Sequence, residues 1–370
     1  MKIGIFSDGF NVNSGYGRVG LNLAKQFRNA GHDVANFSFS IKMPPMMFKG
    51  FPIYPAGNLS YIRKSLIAWK PDVIIHIRDL FITLPQYNKE RLSYSIRAAT
   101  GKIPVVNYTP VESAPIMVDL LEAEKEGDFT VTMTEYGAKA LIEGGFNSNK
   151  VDYVWHGVNP LEYHPVDENN RKLFGFPEDK TIIMVIGTNI SARKMLPLSM
   201  KAFEVYLHNY NPNAMLYMHT QAINHYHLPN VATELGISRN VIIQPQFGSE
   251  VEYWGLDDVN LNKLYNTADC YLHLPCAEGF GMTEIEVMAT GLPAVVSDFP
   301  VHREVMGNYP LYAETHRWYP ITYGLQWIAN PEDAAACIDK AIRGGRKNSK
   351  IVYFWEDAAK KFEGILKQVV

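Results

Sequence analysis

Short apolar runs alternate with amphipathic stretches along the whole chain. In the first half this pattern predicts strands at "KIGIFS", "DVANFSFS", "DVIIHI" and "PVVNYTP", and a helix through "GRVGLNLAKQFRNAG". The pattern starts again at "TIIMVIG", followed by a helix "LPLSMKAFEVYLHNY" and strands at "AMLYMH", "NVIIQP", "ADCYLHL" and "PAVVSD". Strands that alternate with helices in this way are typical of parallel sheets covered by helices. The sequence therefore predicts an α/β protein with two Rossmann-like, doubly wound sheets in tandem.

The two predicted sheets are separated by "HGVNPLEYHPVDENNRKLFGFPEDK", a polar and proline-bearing segment. Such a composition predicts a linker near residues 157–178. We therefore expect an N-terminal domain over residues 1–160 and a second domain over residues 161–351. A ligand cleft is expected between the two domains.

Charge and composition narrow the classes of function. Thirty-five basic and thirty-eight acidic residues give a formal net charge of −3, so no general basic field attracts nucleic acid or an anionic membrane. No apolar run approaches the roughly 18–20 residues of a membrane span, and the opening "MKIGIFSDGF" is too short in its apolar part for a signal peptide. We expect a cytoplasmic protein.

Two further features are interpreted as structural. Cys270, Cys276 and Cys337 lack paired metal-ligand spacing, so we interpret them as core residues with neither zinc nor a disulfide framework. The Met-, Phe- and Pro-rich stretch "IKMPPMMFKGFPIYP" is interpreted as an apolar loop or a partner contact, in preference to an acceptor site or a peripheral membrane contact.

The segment "EGFGMTEIEVMATGLP" carries the most informative chemistry. It places Glu278 and Glu286 eight residues apart across a glycine-rich turn and a predicted helix start near Thr283. Gly279 and Gly281 allow a close approach of the backbone to a ligand, and the helix start would direct free N–H groups at an anion. This arrangement suits a polyhydroxylated, phosphorylated ligand. The alternative is that Glu286 complements the helix dipole and the glycines form an ordinary turn.

This segment resembles the E-x7-E signature of the retaining glycosyltransferases of family four. The flanking sequences "LYNTADCYLHLPCAEGFG" and "TGLPAVVSDFPVHREVMG" resemble the same family. The resemblance implies a GT-B fold, in which two Rossmann-like domains face a central cleft, and sugar transfer from a nucleotide diphosphate donor to an acceptor hydroxyl with retention of configuration. It also implies that a C-terminal helix, about 352–370, packs back on the first domain.

The resemblance assigns roles around the motif. Glu286 would hold the ribose hydroxyls, and Glu278 would hold the hydroxyls of the transferred sugar as a catalytic residue. Backbone amides of the turn and helix start would contact the sugar and the phosphates of the donor, namely those of Gly279, Phe280, Gly281, Met282 and Thr283.

Arg193 and Lys194 follow the strand "TIIMVIG" and precede a helix. A leaving diphosphate needs cationic partners, and an Arg fork with a Lys point charge would stabilise the charge that develops as the glycosidic bond breaks. The alternative is a solvated surface pair. The family usually carries a basic residue at the strand end, where this chain has Thr188 and Asn189. Thr188 is retained as a donor-binding candidate.

The first predicted domain offers weaker candidates. Gly15 and Gly17 are expected just before a helix and could help bind the donor, although such glycines often serve tight packing. Together with Gly20, these glycines also satisfy the bare dinucleotide-binding pattern G-x-G-x-x-G. Asp33, however, begins the second strand instead of ending it, so no acidic residue is placed for the ribose of NAD.

Other strand ends complete the list of candidates. His76 could touch the transferred sugar as a catalytic residue or be a buried, hydrogen-bonded histidine. Arg78 and Glu112 are candidate acceptor contacts. His219 and Thr220 could lie near the nucleotide base.

No Asp-x-Asp motif is well placed to hold a divalent ion, so we predict metal-independent transfer without a cofactor. The expected donor is a UDP-, GDP- or ADP-sugar, and the acceptor could be a glycan, lipid, protein or small molecule. Two alternatives stay open: a sugar-nucleotide epimerase or NAD-dependent Rossmann enzyme, and a catalytically silent sugar-nucleotide binding protein.

Overall fold

The computed structural model of the protein describes residues 1–40, 44–83, 96–244, 256–318 and 324–370. The chain divides into two compact units, one formed by Met1–Gly157 with Tyr353–Val370 and the other by Val158–Val352. Each unit has its own parallel sheet and its own core.

The first unit is built on a sheet whose strands alternate with helices. Its strands are β1 (Lys2–Ser7), β2 (Asp33–Ser38), β3 (Met46–Phe48), β4 (Phe51–Pro55), β5 (Val73–Ile77), β6 (Val105–Thr109), β7 (Phe129–Thr132) and β8 (Val151–Tyr153). Its helices before the second unit are α1 (Gly15–Asn29), α2 (Leu59–Trp69), α3 (Ile96–Thr100) and α4 (Glu135–Glu143). The strand order is β3-β4-β2-β1-β5-β6-β7-β8, and its pairs are parallel except for β3 with β4.

The second unit repeats this alternation of strands and helices. Its strands are β9 (Thr181–Ile186), β10 (Ala214–His219), β11 (Val241–Ile243), β12 (Cys270–His273), β13 (Ala294–Ser297), β14 (Leu311–Ala313), β15 (Thr315–Trp318) and β16 (Gln326–Ala329). Its helices are α5 (Leu196–Asn209), α6 (Leu228–Glu234), α7 (Asp258–Thr267), α8 (Met282–Thr290), α9 (Pro300–Met306) and α10 (Pro331–Gly344). The main sheet is parallel, in the order β11-β10-β9-β12-β13-β14, and β15 pairs with β16 in an antiparallel hairpin.

Each main sheet has a switch point, at which neighbouring strands send their following connections to opposite sides. In the first unit the switch point lies between β1 and β5, and in the second unit it lies between β9 and β12. In open α/β sheets, ligands bind outside the carboxyl ends of the strands at such a point, because the diverging connections leave a crevice there. The topology thus marks one candidate region in each unit.

The last helix, α11 (Trp355–Val369), belongs to the first unit. Phe362 on this helix makes edge contacts with Phe27 of α1 and Tyr108 of β6, with ring centroids 6.4 and 4.8 Å apart. Because Phe362 is fully buried, these contacts tie the C-terminal segment into the core.

Of the linker predicted over residues 157–178, Gly157 ends the first unit and residues 158–178 belong to the second unit. Tyr163 and Phe176 are 2% and 4% exposed, and the Tyr163 hydroxyl donates to Asp258 over 2.7 Å. Two buried aromatic rings thus anchor this part of the predicted linker.

The apolar stretch around Met46 forms two paired strands, where the sequence analysis expected a loop. β3 and β4 pair at the edge of the first sheet, with Ile53 of β4 fully buried and Met47 of β3 63% exposed. Residues 41–43 of this stretch lie outside the described residues. A bilayer-spanning helix needs about 20 apolar residues, and none of the helices in the described ranges meets that requirement.

Candidate functional site

Three of the predicted site residues meet at the switch point of the second unit. Arg193 and Lys194 lie in the connection that follows β9, and Glu278 lies in the connection that follows β12. Lys194 and Glu278 are 84 residues apart in the sequence, yet their side chains form an ion pair. The strand order accounts for this contact, because β9 and β12 are neighbours in the sheet.

Glu278 is held by both cations. Arg193 Nη1 lies 2.9 Å from Glu278 Oε2, and Lys194 Nζ pairs with Oε1. Burial acts to raise the pKa of the Glu278 carboxyl, but Arg193 and Lys194 outweigh burial and lower that pKa to about 2. Glu278 is therefore an ionised carboxylate at neutral pH.

The two cations keep part of their surface in solvent. The side chains of Arg193 and Lys194 are 24% and 15% exposed, whereas that of Glu278 is 7% exposed. Arg193 also donates to the carbonyl oxygen of Ala277 over 3.0 Å. This hydrogen bond and the ion pairs with Glu278 orient a guanidinium and an ammonium beside the turn that precedes α8.

A buried asparagine fixes the connection that carries the cations. Asn189 is fully buried, and its Nδ2 donates to the carbonyl oxygens of Gln221 and Tyr226 over 3.0 and 2.8 Å. Its Oδ1 accepts from the backbone N–H of Tyr226 over 2.9 Å. The neighbouring Thr188 is exposed at the end of β9.

The turn before α8 requires glycine at its last position. Gly281 has a φ of +89°, and a Cβ there would lie 2.3 Å from Glu284 Oε2. The helix begins at Met282, one residue before the predicted start. Phe280 is 2% exposed, while Met282 and Thr283 are half-buried.

The second glutamate of the motif has a different partner from the first. Glu286 is 1% exposed, and its Oε2 accepts a hydrogen bond from the Tyr265 hydroxyl of α7 over 2.8 Å. Burial, and then the charge of Glu286, raise the pKa of Tyr265 well above its ordinary value, so Tyr265 stays a donor. The hydrogen bond fixes the orientation of the carboxylate, and contact of Glu286 with a ribose stays a prediction.

A group next to this turn was not anticipated from the sequence. Glu284 of α8 is fully buried, with Oε1 2.6 Å from His273 Nδ1 and 3.3 Å from His302 Nε2. His273 Nε2 lies 3.9 Å from Glu278 Oε1, so the group adjoins the ion pairs. Two features of the sequence could have indicated this group: a histidine inside the apolar run "CYLHL" and a third glutamate inside the motif.

The donor atoms of His273, Glu284 and His302 are of the kinds that bind divalent metals, and they lie within 4.8 Å of one another. Two ligands of one tetrahedral zinc ion stay about 3.3 Å apart. The 2.6 Å separation of His273 Nδ1 and Glu284 Oε1 is instead that of a short, charge-assisted hydrogen bond.

His219 and Thr220 follow the neighbouring strand β10. His219 Nδ1 lies 3.1 Å from the Tyr217 hydroxyl, and burial lowers the pKa of His219 to about 4. Thr220 is 8% exposed. A contact of either residue with a nucleotide base stays a prediction.

The remaining predicted residues lie in the first unit. Gly15 and Gly17 lie in the first turn of α1, whereas the sequence analysis placed them before the helix. Ser14 caps this helix, with Oγ accepting from the N–H of Gly17 over 3.1 Å. A Cβ at Gly17 would lie 2.4 Å from the carbonyl oxygen of Val12, so Gly17 is required for packing.

His76 and Glu112 differ in burial. His76 is 2% exposed, its Nδ1 lies 3.3 Å from Asn107 Oδ1, and burial, with the charge of Arg78, lowers its pKa to about 4. Glu112 is half-buried in the segment after β6. His76 is thus a neutral ring in the sheet, and contact with a sugar stays a prediction.

Arg78 lies at the switch point of the first unit. Its Nη1 is 4.0 Å from Asp8 Oδ1, and its guanidinium lies 4.2 Å from the ring centre of Phe39. Ser14 Oγ donates to Asp8 Oδ2 over 2.7 Å, and the Tyr16 hydroxyl donates to Asp79 Oδ2 over 2.8 Å. This region therefore presents two carboxylates and one cation.

Comparison with known sequences matches the second unit to a family. Residues 166–345 match the family described as Glycosyl transferases group 1. An uncharacterized glycosyltransferase of Methanocaldococcus jannaschii is 23% identical over 231 residues, which are 59% of this chain and 54% of that protein. The chain thus matches about half the length of this curated relative.

Comparison with solved structures covers the whole chain. A sucrose-phosphate synthase from Thermosynechococcus elongatus has a TM-score of 0.68 at 12% identity, over 100% of this chain and 98% of that chain. Anabaena HepE, solved in complex with UDP and glucose, has a TM-score of 0.66 at 14% identity, over 100% and 95%. The likenesses show the GT-B fold, and the family match supports a glycosyltransferase.

Proposed function

We propose that this protein is a retaining glycosyltransferase that moves a sugar from a nucleotide diphosphate to an acceptor hydroxyl. The main support for the proposal is the pair of salt bridges that Arg193 and Lys194 form with Glu278 at the switch point of the second unit. This switch point lies inside the segment that matches the glycosyl transferase family. A partly exposed pair of cations at such a place suits a diphosphate.

In this proposal Arg193 and Lys194 stabilise the leaving diphosphate. A guanidinium has five N–H donors and an ammonium has three, so both groups can hold Glu278 and phosphate oxygens together. As the bond between the anomeric carbon and the phosphate oxygen breaks, negative charge grows on that oxygen. Fixed cations at this position lower the barrier because they need no rearrangement during the reaction.

Glu278 would accept hydrogen bonds from the hydroxyls of the transferred sugar. Its depressed pKa keeps it ionised, and an ionised carboxylate only accepts hydrogen bonds. The departing phosphate oxygen would take the proton of the acceptor hydroxyl, so the mechanism needs no separate base. Retention and metal independence are part of this proposal, since the two cations supply the charge that a divalent ion would otherwise provide.

Glu286 would hold the ribose hydroxyls, and the amides from Gly279 to Thr283 would contact the sugar and the phosphates. A UDP-sugar is the first donor to test, because Anabaena HepE is solved with UDP and glucose. The acceptor class stays open among glycans, lipids, proteins and small molecules. A cytoplasmic location belongs to the same proposal.

An NAD-dependent enzyme is disfavoured by the end of β2. This strand begins at the exposed Asp33 and ends at the buried Ser38, so no carboxylate stands at its end for a ribose. A silent binding protein shares the site geometry and differs only in turnover, which the experiment must measure.

The test is a thermal-shift screen followed by product analysis. Wild type and Glu286→Ala are compared against UDP, GDP, ADP, their common sugar conjugates and NAD, since a ligand of the native state raises its stability. We expect stabilisation by one nucleotide sugar in the wild type and its loss in the variant. NMR of the product then reports the anomeric configuration.

Three results would contradict the proposal. Stabilisation by NAD alone would contradict the assignment of the site. Binding of a nucleotide sugar without transfer or hydrolysis, across an acceptor panel, would support the silent protein. A strict manganese requirement would contradict the metal-independent mechanism.

A further inference from the structure

A second carboxylate lies against the turn that the proposed function assigns to the donor. Glu284 is fully buried, and its carboxylate lies so close to Gly281 that a side chain at position 281 would clash with Oε2. Its negative charge is therefore placed in the first turn of α8. An uncompensated carboxylate at this position would repel a diphosphate.

The contacts of Glu284 favour an ionised carboxylate. The Thr283 hydroxyl donates to Oε2 over 2.9 Å, and His273 Nδ1 lies at 2.6 Å from Oε1. Burial acts to raise the pKa of Glu284, but the charges and hydrogen bonds of His273 and His302 hold that pKa well below its usual range. An acceptor surrounded by donors keeps its charge.

His302 faces the Glu284 carboxylate with Nε2, while its other ring nitrogen, Nδ1, is hydrogen-bonded to the backbone. Its Nδ1 lies 2.8 Å from the carbonyl oxygen of Ser297, which can only accept, so Nδ1 carries a proton. In a neutral ring Nε2 would then be an acceptor, yet it lies 3.3 Å from the Glu284 oxygen, which is also an acceptor. A second proton on His302 removes this conflict.

The surroundings of His302 favour that proton. The ring of Phe299 stacks on His302 with centroids 4.0 Å apart and planes at 28°, and an aromatic face attracts a cation. His273 is the less suitable carrier, because burial lowers the pKa of His273 and Lys194 acts in the same direction, although Glu284 opposes them.

We propose that His302 is kept as an imidazolium against Glu284, and that this buried pair positions the turn before α8 and compensates its negative charge, so that a nucleotide diphosphate can bind there. This inference rests on the proposed function for its ligand. His302 and Glu284 are positioning residues, since each acts through the turn.

The balance of charge around Glu284 explains why protonation of His302 would favour binding of a diphosphate. The charged or titratable groups around Glu284 come from its own helix and from every element packed on it: Glu286 of α8, His273 and Tyr271 of β12, Glu278 before α8, His302 of α9, and Arg193 and Lys194 after β9. The three carboxylates outnumber Arg193 and Lys194 by one charge. The proton on His302 makes the group neutral, so that no net negative charge faces the proposed diphosphate site.

The first test is the side-chain 15N spectrum of the ligand-free protein, labelled at histidine. Because ring nitrogens report their own protonation, His302 is expected to show both nitrogens protonated at neutral pH. His302→Gln removes one signal and so assigns it. A neutral His302 ring overturns the inference, and so does one equivalent of tightly bound zinc in a metal analysis of the same sample.

The second test is the pH dependence of donor affinity, measured by calorimetry from about pH 5.5 to about pH 9. Without the proton on His302 the group carries one net negative charge, so wild-type affinity for the diphosphate is expected to fall by about tenfold as pH rises. His302→Gln keeps an N–H toward Glu284 but cannot carry the charge, and should bind weakly without this fall. His208→Gln, which alters an exposed histidine paired with Glu204, is the matched control and should follow the wild type.

The outcomes separate the inference from the proposed function. A parallel fall in wild type and His302→Gln overturns the coupling and leaves the function standing. Absence of any nucleotide-sugar binding overturns the function, while the ring-nitrogen spectrum still decides the imidazolium. Should His302→Gln fail to fold, Glu284→Gln provides the second variant, since it removes the charge that holds the proton.

Discussion

At the switch point of the second unit Arg193 and Lys194 both pair with Glu278, whereas at that of the first unit Arg78 lies 4.0 Å from Asp8. The carboxylate is 7% exposed in the second unit and 23% exposed in the first. The second region is thus a buried acid under two cations, and the first is a looser, more solvated mixture of charges. We infer that only the second is suited to a diphosphate.

Both regions nevertheless contain a fully buried asparagine that is hydrogen-bonded to the backbone. Asn36 in the first unit and Asn189 in the second are fully buried, and each joins the connection at its switch point to a neighbouring part of the same unit. Asn36 lies on β2 and bonds to Phe10 after β1, while Asn189 lies after β9 and bonds to Gln221 and Tyr226 after β10. Asn36 accepts from the N–H of Phe10 over 3.1 Å and donates to the carbonyl oxygen of Ile5 over 3.1 Å. In both units, then, a buried asparagine holds the backbone in place. The two regions differ in their charged side chains, and we infer that these determine which ligand each region suits.

Arg193→Ala should produce the largest effect. Removing one preorganised cation from the leaving group is expected to lower the transfer rate by about 10²–10³-fold. Steady-state kinetics with the identified donor measures this change. Lys201→Ala, which breaks a pair with Glu204 on the surface of α5, should stay within about twofold of the wild type. An equal loss in both variants would contradict the role of Arg193.

The two buried asparagines allow a matched test of the comparison. Asn36→Ala and Asn189→Ala should each lower the free energy of unfolding by about 3 kcal/mol, since each leaves buried backbone groups without a partner. Denaturant unfolding measures the loss. Only Asn189→Ala should also weaken nucleotide-sugar binding, in calorimetry below the unfolding temperature. Weaker donor binding in Asn36→Ala alone would reverse the comparison.

A further effect, on the free energy of unfolding, is expected when acid protonates Glu278. The pKa of Glu278 is lowered from about 4.5 to about 2 on folding, so its contribution to stability is present above about pH 4.5 and is lost as pH falls toward about pH 2. The difference in unfolding free energy between wild type and Glu278→Gln should therefore shrink by up to about 3 kcal/mol on acidification.

Denaturant unfolding at a series of pH values measures this difference. Glu122→Gln, which alters an exposed pair with Lys125, should change stability by less than about 0.5 kcal/mol throughout. A difference for Glu278→Gln that does not change with pH would contradict the ionised, cation-held carboxylate.

Much of the fold could be predicted because each sheet strand is an apolar run of its own. The run "AMLYMH" coincides with β10, Ala214–His219, and the expected GT-B class is confirmed by the structural likenesses. The predictions failed where local sequence competes with packing. Gly15 and Gly17 suggested a loop, but Ser14 caps a helix that includes them. The polar segment over 157–178 predicted a linker, and the boundary between the units does fall at its start, after Gly157, while Tyr163 and Phe176 anchor the rest of it in the second unit.

The candidate site could be predicted only in part. The motif identified Glu278 and Glu286, and the basic pair Arg193 and Lys194 was found from its place after a strand. The salt bridges of that pair with Glu278 depend on β9 and β12 being neighbours in the sheet, and the strand order cannot be predicted from local sequence patterns. His302 was missed for the same reason, since its contact with Glu284 joins two different helices.

The most direct test of the account is a calorimetric titration of the identified nucleotide sugar into Lys194→Met and Arg78→Met. Both variants keep an apolar stem and lose a cation, one from each switch point. The account predicts that Lys194→Met loses at least about tenfold in donor affinity, while Arg78→Met binds as the wild type does. Donor binding that survives in Lys194→Met and is lost in Arg78→Met would contradict the account.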